Sequence, residues 1–130
     1  MSYLLLSLVL ACSTPSTTPS GAPSAVAQPG SVDVAGLKTA FDAGAVVIDV
    51  RTDDEYNAGH VPGARHIPLN DLPSRLDEID SLKGKDVYLI CASGGRSARA
   101  STLLASEGFS RPINVEGGTN AWREAGYPLD

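Results

Sequence analysis

Asp86–Ala100 reads DVYLICASGGRSARA, and this stretch decides the fold. Val87-Tyr88-Leu89-Ile90 is an apolar run with the length and composition of a buried strand. It stops at Cys91, passes through Gly94-Gly95 and enters a segment that predicts a helix. A cysteine handed from a strand to a short glycine loop at a helix N-terminus has its sulfur among unpaired backbone N–H groups. Such a place stabilises an anion, and a thiolate is an anion.

On either side the same alternation continues. Val46–Val50 predicts a second buried strand, Ala64–Ile67 a brief third and Ile113–Val115 a last, with Ser31–Val34 as a short edge strand. Helices are expected over Ala35–Ala43, from the helical spacing of Leu37, Ala40 and Phe41, and from Asp53, whose neighbours Asp54 and Glu55 suit a helix N-terminus. Leu72, Leu76 and Ile79 predict a helix over Leu72–Ile79, and Thr119–Glu124 a short last one. Apolar strands alternating with helices imply a parallel sheet covered on both faces. Ligands of such sheets bind beyond the carboxyl ends of the strands, where Cys91 stands.

The chain has 130 residues, 42% hydrophobic and 19% charged, enough for one globular domain. A net charge of −5 argues against nucleic acid or an anionic membrane surface as the main partner. The cysteines are Cys12 and Cys91, and Cys12 lies in an apolar leader. The domain is therefore expected to hold one thiol and no disulfide, and with two histidines it lacks the ligands of a structural zinc site.

Residues 1–12, MSYLLLSLVLAC, are too few to span a bilayer but suit the apolar region of a signal peptide. Val9-Leu10-Ala11-Cys12 resembles the lipobox of bacterial lipoproteins, although no Lys or Arg precedes it and Leu10 is large for its place. The resemblance implies lipidation of Cys12 and a place in the bacterial cell envelope, facing the periplasm or exterior, with the membrane touched only through the lipid. Residues 13–30, rich in Ser, Thr, Pro and Ala and free of charge, read as a disordered tether, and 31–130 as the folded domain.

Cys91 could be a small buried hydrophobe, a common role for a free cysteine. The small residues Ala92-Ser93-Gly94-Gly95 argue otherwise, because they let backbone amides approach a bound group. Arg96 and Arg99 add a second argument. A first helical turn prefers acids, yet no acid occurs here until Glu107. Both charges and the helix dipole are expected to lower the thiol pKa and attract an anionic substrate.

The motifs together resemble a single-domain rhodanese, a sulfurtransferase. Asp49-Val50-Arg51 with Glu55-Tyr56, then Gly59–Ala64 (GHVPGA) and Ile67-Pro68, is similar to the family's N-terminal signature. Cys91–Ser97 (CASGGRS) is similar to its active-site loop. Glu116-Gly117-Gly118, Ala121-Trp122 and Gly126–Leu129 (GYPL) are similar to its C-terminal signature. The resemblance covers the chain from about Val32 onward. It implies a three-layer α/β domain with a central, mainly parallel sheet of about five strands and no metal or organic cofactor. It also implies that Cys91 attacks the outer sulfur of thiosulfate or a similar donor, releases sulfite and holds a persulfide. Cyanide or a thiol, a protein thiol included, would then remove that sulfur. The amides of Ala92, Ser93, Gly94, Gly95, Arg96 and Ser97 would cradle the sulfur, with the charge of Arg99 nearby.

Cysteine phosphatases and arsenate reductases share the anion logic, but the phosphatase loop has five residues between Cys and Arg. Here there are four, which suits a sulfur atom better than a phosphate. A non-catalytic sulfur carrier or protein-binding module is the alternative from a different class. His60, in a Gly-His-Val-Pro-Gly turn, is expected to fix that turn rather than serve as a base. Arg51 and Glu55 are expected in an ion-pair network behind the site. Trp122 is expected in the core, with a pocket wall as the alternative.

Overall fold

The computed structural model describes residues 29–130. The expected leader, Cys12 and most of the expected tether lie outside them. Five strands, β1 (Gly30–Val32), β2 (Val46–Asp49), β3 (Arg65–His66), β4 (Asp86–Ile90) and β5 (Arg111–Val115), form one sheet in the order β1-β5-β4-β2-β3. Every pairing is parallel, with Leu89 of β4 opposite Ile48 of β2 and Asn114 of β5. Four α-helices, α1 (Val34–Asp42), α2 (Asp53–Asn57), α3 (Gly95–Ser106) and α4 (Gly118–Glu124), complete the α/β domain expected from the sequence.

Successive residues of a strand face opposite sides of its sheet, so the apolar runs of β2 and β4 feed two cores. Ile48, Val87 and Leu89 join Cys91, Leu104 and Phe109 on one side, under α3. Val47, Ile90 and Val115 join Leu37 and Trp122 on the other, under α1 and α4. Each fully buried Leu or Ile contributes about 1.5–3 kcal/mol of transfer free energy. These two cores are therefore what hold β4, and the cysteine at its end, in place.

Several boundaries differ from expectation for local reasons. β1 takes in Gly30, assigned above to the tether, and ends at Val32, because the Asp33 side chain accepts the Gly36 N–H at 2.9 Å and starts α1. The predicted helix over Leu72–Ile79 is instead two 3₁₀ helices, Leu72–Ser74 and Leu76–Leu82, broken at the non-helical Arg75. Leu76, Ile79 and Leu82 recur every third residue, a period that aligns side chains on a 3₁₀ helix. Ile79 and Leu82 are buried by it.

Candidate active site

Cys91 follows β4 directly and is 1% exposed. The loop after it turns at Gly94, whose φ of +112° is a left-handed conformation that favours glycine, and α3 begins at Gly95. That turn brings the Gly94 N–H back onto Cys91 Sγ at 3.0 Å, and the Ser97 hydroxyl, one helical turn on, lies 3.4 Å from the same sulfur. Burial alone would push the Cys91 thiol up. The Ser97 hydroxyl and the backbone amides of Ser97, Gly94 and Ser93 outweigh it and hold the thiol below its ordinary value.

The loop's carbonyls are tied down from the opposite side. Thr119 N–H donates to the Cys91 carbonyl oxygen at 2.8 Å and Asn120 N–H to that of Ala92 at 3.0 Å, both from the first turn of α4. In a trans peptide the N–H points away from the C=O, so these bonds aim the amides of Ala92 and Ser93 away from α4. Gly118 makes the approach possible. A Cβ there would lie 2.2 Å from the Cys91 oxygen and 2.5 Å from the Ala92 oxygen. The Glu116-Gly117-Gly118 stretch thus has a physical reason: only a glycine lets α4 dock on the cysteine loop.

Arg96 does not point its charge mainly at the sulfur. Its guanidinium donates to both oxygens of Glu55, at 2.7 and 2.8 Å. Glu55 in turn closes the capping box of α2, where its Oε1 accepts from the Thr52 hydroxyl at 3.0 Å. The Arg96 guanidinium, with lesser help from Thr52, outweighs partial burial and lowers the Glu55 pKa to about 2. Glu55 thus pairs with the loop arginine. One expectation is corrected here. Cys91 is supported chiefly by neutral hydrogen-bond donors rather than by the two arginines, because Arg96 is neutralised by its carboxylate.

Arg51 serves elsewhere. It is paired with Asp49, Nη2 to Oδ2 at 2.7 Å, with the two side chains 4% and 0% exposed. It also donates to the Gly59 carbonyl at 2.8 Å and so braces the end of β2 against the Gly59–Ala64 turn. Arg99 lies with Arg96, Val50, Thr52, Pro68, Leu69 and Asn70 around an open cleft of about 180 Å³. Among the described residues no carboxylate pairs with Arg99. A larger open groove of about 280 Å³ at the starts of β1 and β5 is lined by Ser31, Ser110 and Arg111 among others and does not include Cys91.

Trp122 is fully buried between Phe41 and Tyr127, its indole N–H donating to the Pro128 carbonyl at 2.7 Å. It belongs to the core on the side of the sheet away from Cys91, so it is a core residue and not a pocket wall. His60 bonds the Tyr56 carbonyl and, through its backbone, Asp130, as a turn-fixing residue should. Thr119, Asn120 and Asn114 escaped notice in the sequence. Asn114, in the strand Arg111–Val115, lies 2.5 Å from the Ser97 hydroxyl. Its one local signal is a polar residue between Ile113 and Val115.

Comparison with known proteins agrees with this fold. A model of the rhodanese-like domain matches residues 33–125. The chain is similar to a sulfurtransferase of Allochromatium vinosum, 37% identical over 84 residues that make up 65% of this chain and 77% of that protein. It is also similar to thiosulfate sulfurtransferase 18 of Arabidopsis thaliana, 37% identical over 112 residues, covering 77% of this chain and 82% of that one. A crystal structure of a rhodanese-related protein from Thermoplasma volcanium aligns with a TM-score of 0.70 at 33% identity, over 78% of this chain and 97% of that chain.

Proposed function

The chain belongs to the rhodanese-like domain family, and we propose that it transfers sulfane sulfur from thiosulfate or a similar anionic donor to a thiophilic acceptor through a persulfide on Cys91. The observation that carries this reading is the Cys91 sulfur, held below its ordinary thiol pKa by the Ser97 hydroxyl and the loop amides. The thiolate attacks the outer sulfur of thiosulfate. An S–S bond forms to Cys91 as the donor's S–S bond breaks, and sulfite leaves with the electron pair. Cyanide or a thiol then attacks the outer sulfur of the persulfide, and the thiolate returns as leaving group. The donors around Cys91 Sγ favour the thiolate directly, so the reading assigns no general base. The amides of Ala92 to Ser97 take up the charge on the transferred sulfur, and unpaired Arg99 draws the donor anion into the cleft beside the loop.

Cys91 is the free cysteine of the described residues, so no resolving thiol accompanies it there and the acceptor comes from outside the domain. The test is the intact mass after thiosulfate treatment. A gain of one sulfur atom in the wild type, absent from Cys91→Ala, with thiocyanate formed on adding cyanide, is the expected result. No gain and no turnover would leave a binding module, and phosphate release from an aryl phosphate would mean a phosphatase.

The same reading extends to the chain's location. We propose that Cys12 is lipidated and tethers the domain to the bacterial envelope, which the apolar leader and the uncharged Ser/Thr/Pro-rich stretch support. Radioactive fatty acid should label the wild type and not Cys12→Ala; equal labelling refutes the anchor.

A further inference from the structure

The Ser97 hydroxyl sits among more acceptors than it has protons. Its Oγ lies 3.4 Å from Cys91 Sγ, 3.3 Å from the Gly94 carbonyl oxygen and 2.5 Å from Asn114 Oδ1. A hydroxyl donates one proton and accepts at two lone pairs, so only one of the three receives its proton at a time. The Gly94 carbonyl already accepts the Ala98 N–H at 3.1 Å, so it does not depend on Ser97. The choice is between the sulfur and Asn114.

An asparagine amide can take either side of that choice. With Oδ1 turned to Ser97 it accepts the proton and withholds it from the sulfur. Turned half a rotation about its terminal bond, its Nδ2–H donates to Ser97 Oγ, and the hydroxyl proton is then free to lie on Cys91 Sγ. A thiolate needs that proton. In a persulfide the charge resides on the outer sulfur, and the inner one becomes a neutral, weakly accepting atom that does not.

We propose that Asn114 is a positioning residue of the site, its amide setting whether the Ser97 hydroxyl proton points at Cys91 Sγ or away from it. Nδ2 faces Ser97 while Cys91 is a thiolate, and Oδ1 faces Ser97 once the sulfur is a thiol or carries the persulfide. The fold makes this possible because β5 pairs with β4 and places Asn114 opposite Leu89, two residues before the nucleophile. The Ser97 side of the cluster is fully buried, so no solvent competes for the hydroxyl.

The charged groups around Cys91 are already engaged or distant from this choice. Asp49 and Arg51 on the β2 side pair with each other, Glu55 of α2 pairs with Arg96 of α3, and Glu116 after β5 accepts the Ser31 hydroxyl. Arg99 lines the cleft. All are common to the variants below, so differences between those variants arise at positions 97 and 114.

The inference rests on Cys91 acting as the nucleophile, but its test needs no turnover. The thiol pKa is read from the pH dependence of Cys91 alkylation by iodoacetamide in wild type, Asn114→Asp, Ser97→Ala and the double variant. An aspartate only accepts, so it locks the Ser97 proton away from the sulfur and adds a charge. The charge acts with or without Ser97; the locked proton acts only through it. Asn114→Asp is therefore expected to raise the pKa by about one unit more in the presence of Ser97 than in the Ser97→Ala background, a tenfold difference in thiolate below the pKa. Equal shifts in the two backgrounds would overturn the proposal. Should Asn114→Asp fail to fold, the wild type decides it. The side-chain amide resonances of Asn114 should move with pH at the same midpoint as Cys91 alkylation, and resonances unmoved through that titration would overturn it. A protein that passes this test but gains no sulfur from thiosulfate would refute the sulfurtransfer reading while leaving the Asn114 coupling standing.

Discussion

Glu55 and Arg96, 41 residues apart in the chain, meet in a two-pronged ion pair at 2.7 and 2.8 Å. The pair links the capped start of α2 to the first turn of α3. It fixes the one arginine of the cysteine loop by holding both ends of its guanidinium fork. It also turns that positive charge mainly toward Glu55, which leaves backbone amides and a hydroxyl as the chief donors that lower the Cys91 thiol pKa.

The pair predicts an acid-sensitive loop. Glu55 titrates at about 2 in the fold, below its ordinary 4.5. Its folded pKa is depressed, so the stability it contributes is present above about pH 4.5 and is lost as pH falls toward 2. Both side chains are about a third exposed, which limits the contribution to about 0.2–1 kcal/mol. Glu55→Gln should therefore lower the melting temperature at neutral pH by about 1–8 °C. It should lower kcat/KM for thiosulfate by about three- to tenfold through a loosened Arg96, and should remove part of the stability lost by the wild type between pH 4.5 and 2. Superimposable acid-unfolding curves for the two proteins would contradict the role given to this pair.

Gly118 predicts a large structural effect. Alanine there would meet the Cys91 oxygen at 2.2 Å and must hold a φ of +55°. The left-handed conformation alone costs about 1–2 kcal/mol for a residue with a Cβ, before any clash. For a domain of this size each kcal/mol moves the melting temperature by roughly 4–8 °C. Gly118→Ala should melt at least about 8 °C below the wild type and lose most of its activity, as α4 is pushed off the loop. Calorimetry and initial rates check both; a variant with wild-type melting and rate would show that the loop tolerates displacement.

Ser97 predicts a shift of the pH profile. Its hydroxyl, with the amides of Ser97, Gly94 and Ser93, holds the Cys91 thiol below its ordinary value. A lowered pKa means a larger thiolate fraction at any pH below it, so removal of the hydroxyl moves the profile to higher pH. Ser97→Ala should raise the alkylation pKa of Cys91 by about one unit, with a roughly tenfold slower reaction on the acid limb and an unchanged alkaline plateau. A profile left in place would assign the lowering to the backbone amides alone.

Arg99 predicts a charge effect on the donor. It is the cleft arginine without a carboxylate partner among the described residues. Arg99→Glu should raise the KM for thiosulfate several-fold and flatten the salt dependence of kcat/KM, because steering of an anion weakens with ionic strength. An unchanged KM at low salt would remove Arg99 from the approach path.

Much of this protein was legible in the chain itself. The strand–cysteine–glycine–helix stretch around Cys91, the buried run of β2 and the acid-rich start of α2 are local patterns, set by hydrophobic periodicity and by interactions spanning a few residues. The three spaced motifs sufficed to indicate the family and its parallel sheet. The 3₁₀ character of Leu76–Leu82 was harder to see, since Leu72, Leu76 and Ile79 fit an α-helix equally well until Leu82 is included.

What the sequence by itself determined is the cysteine and the turn that carries it, because those depend on neighbours in the chain. What only the tertiary structure decided is which distant groups reach them. Parallel strands are joined by crossovers, so residues that meet across the sheet lie far apart in sequence. Glu55 could have answered to Arg51, four residues away, and was found on Arg96. Trp122, close in sequence to the Gly118 contact with the loop, was found on the far core. Asn114 becomes a partner of Ser97 only because β5 lies against β4. Around Asp86–Ala100 the local code supplies the thiol and the donors on its sulfur, and the packing of α2, α4 and β5 braces the loop that carries them.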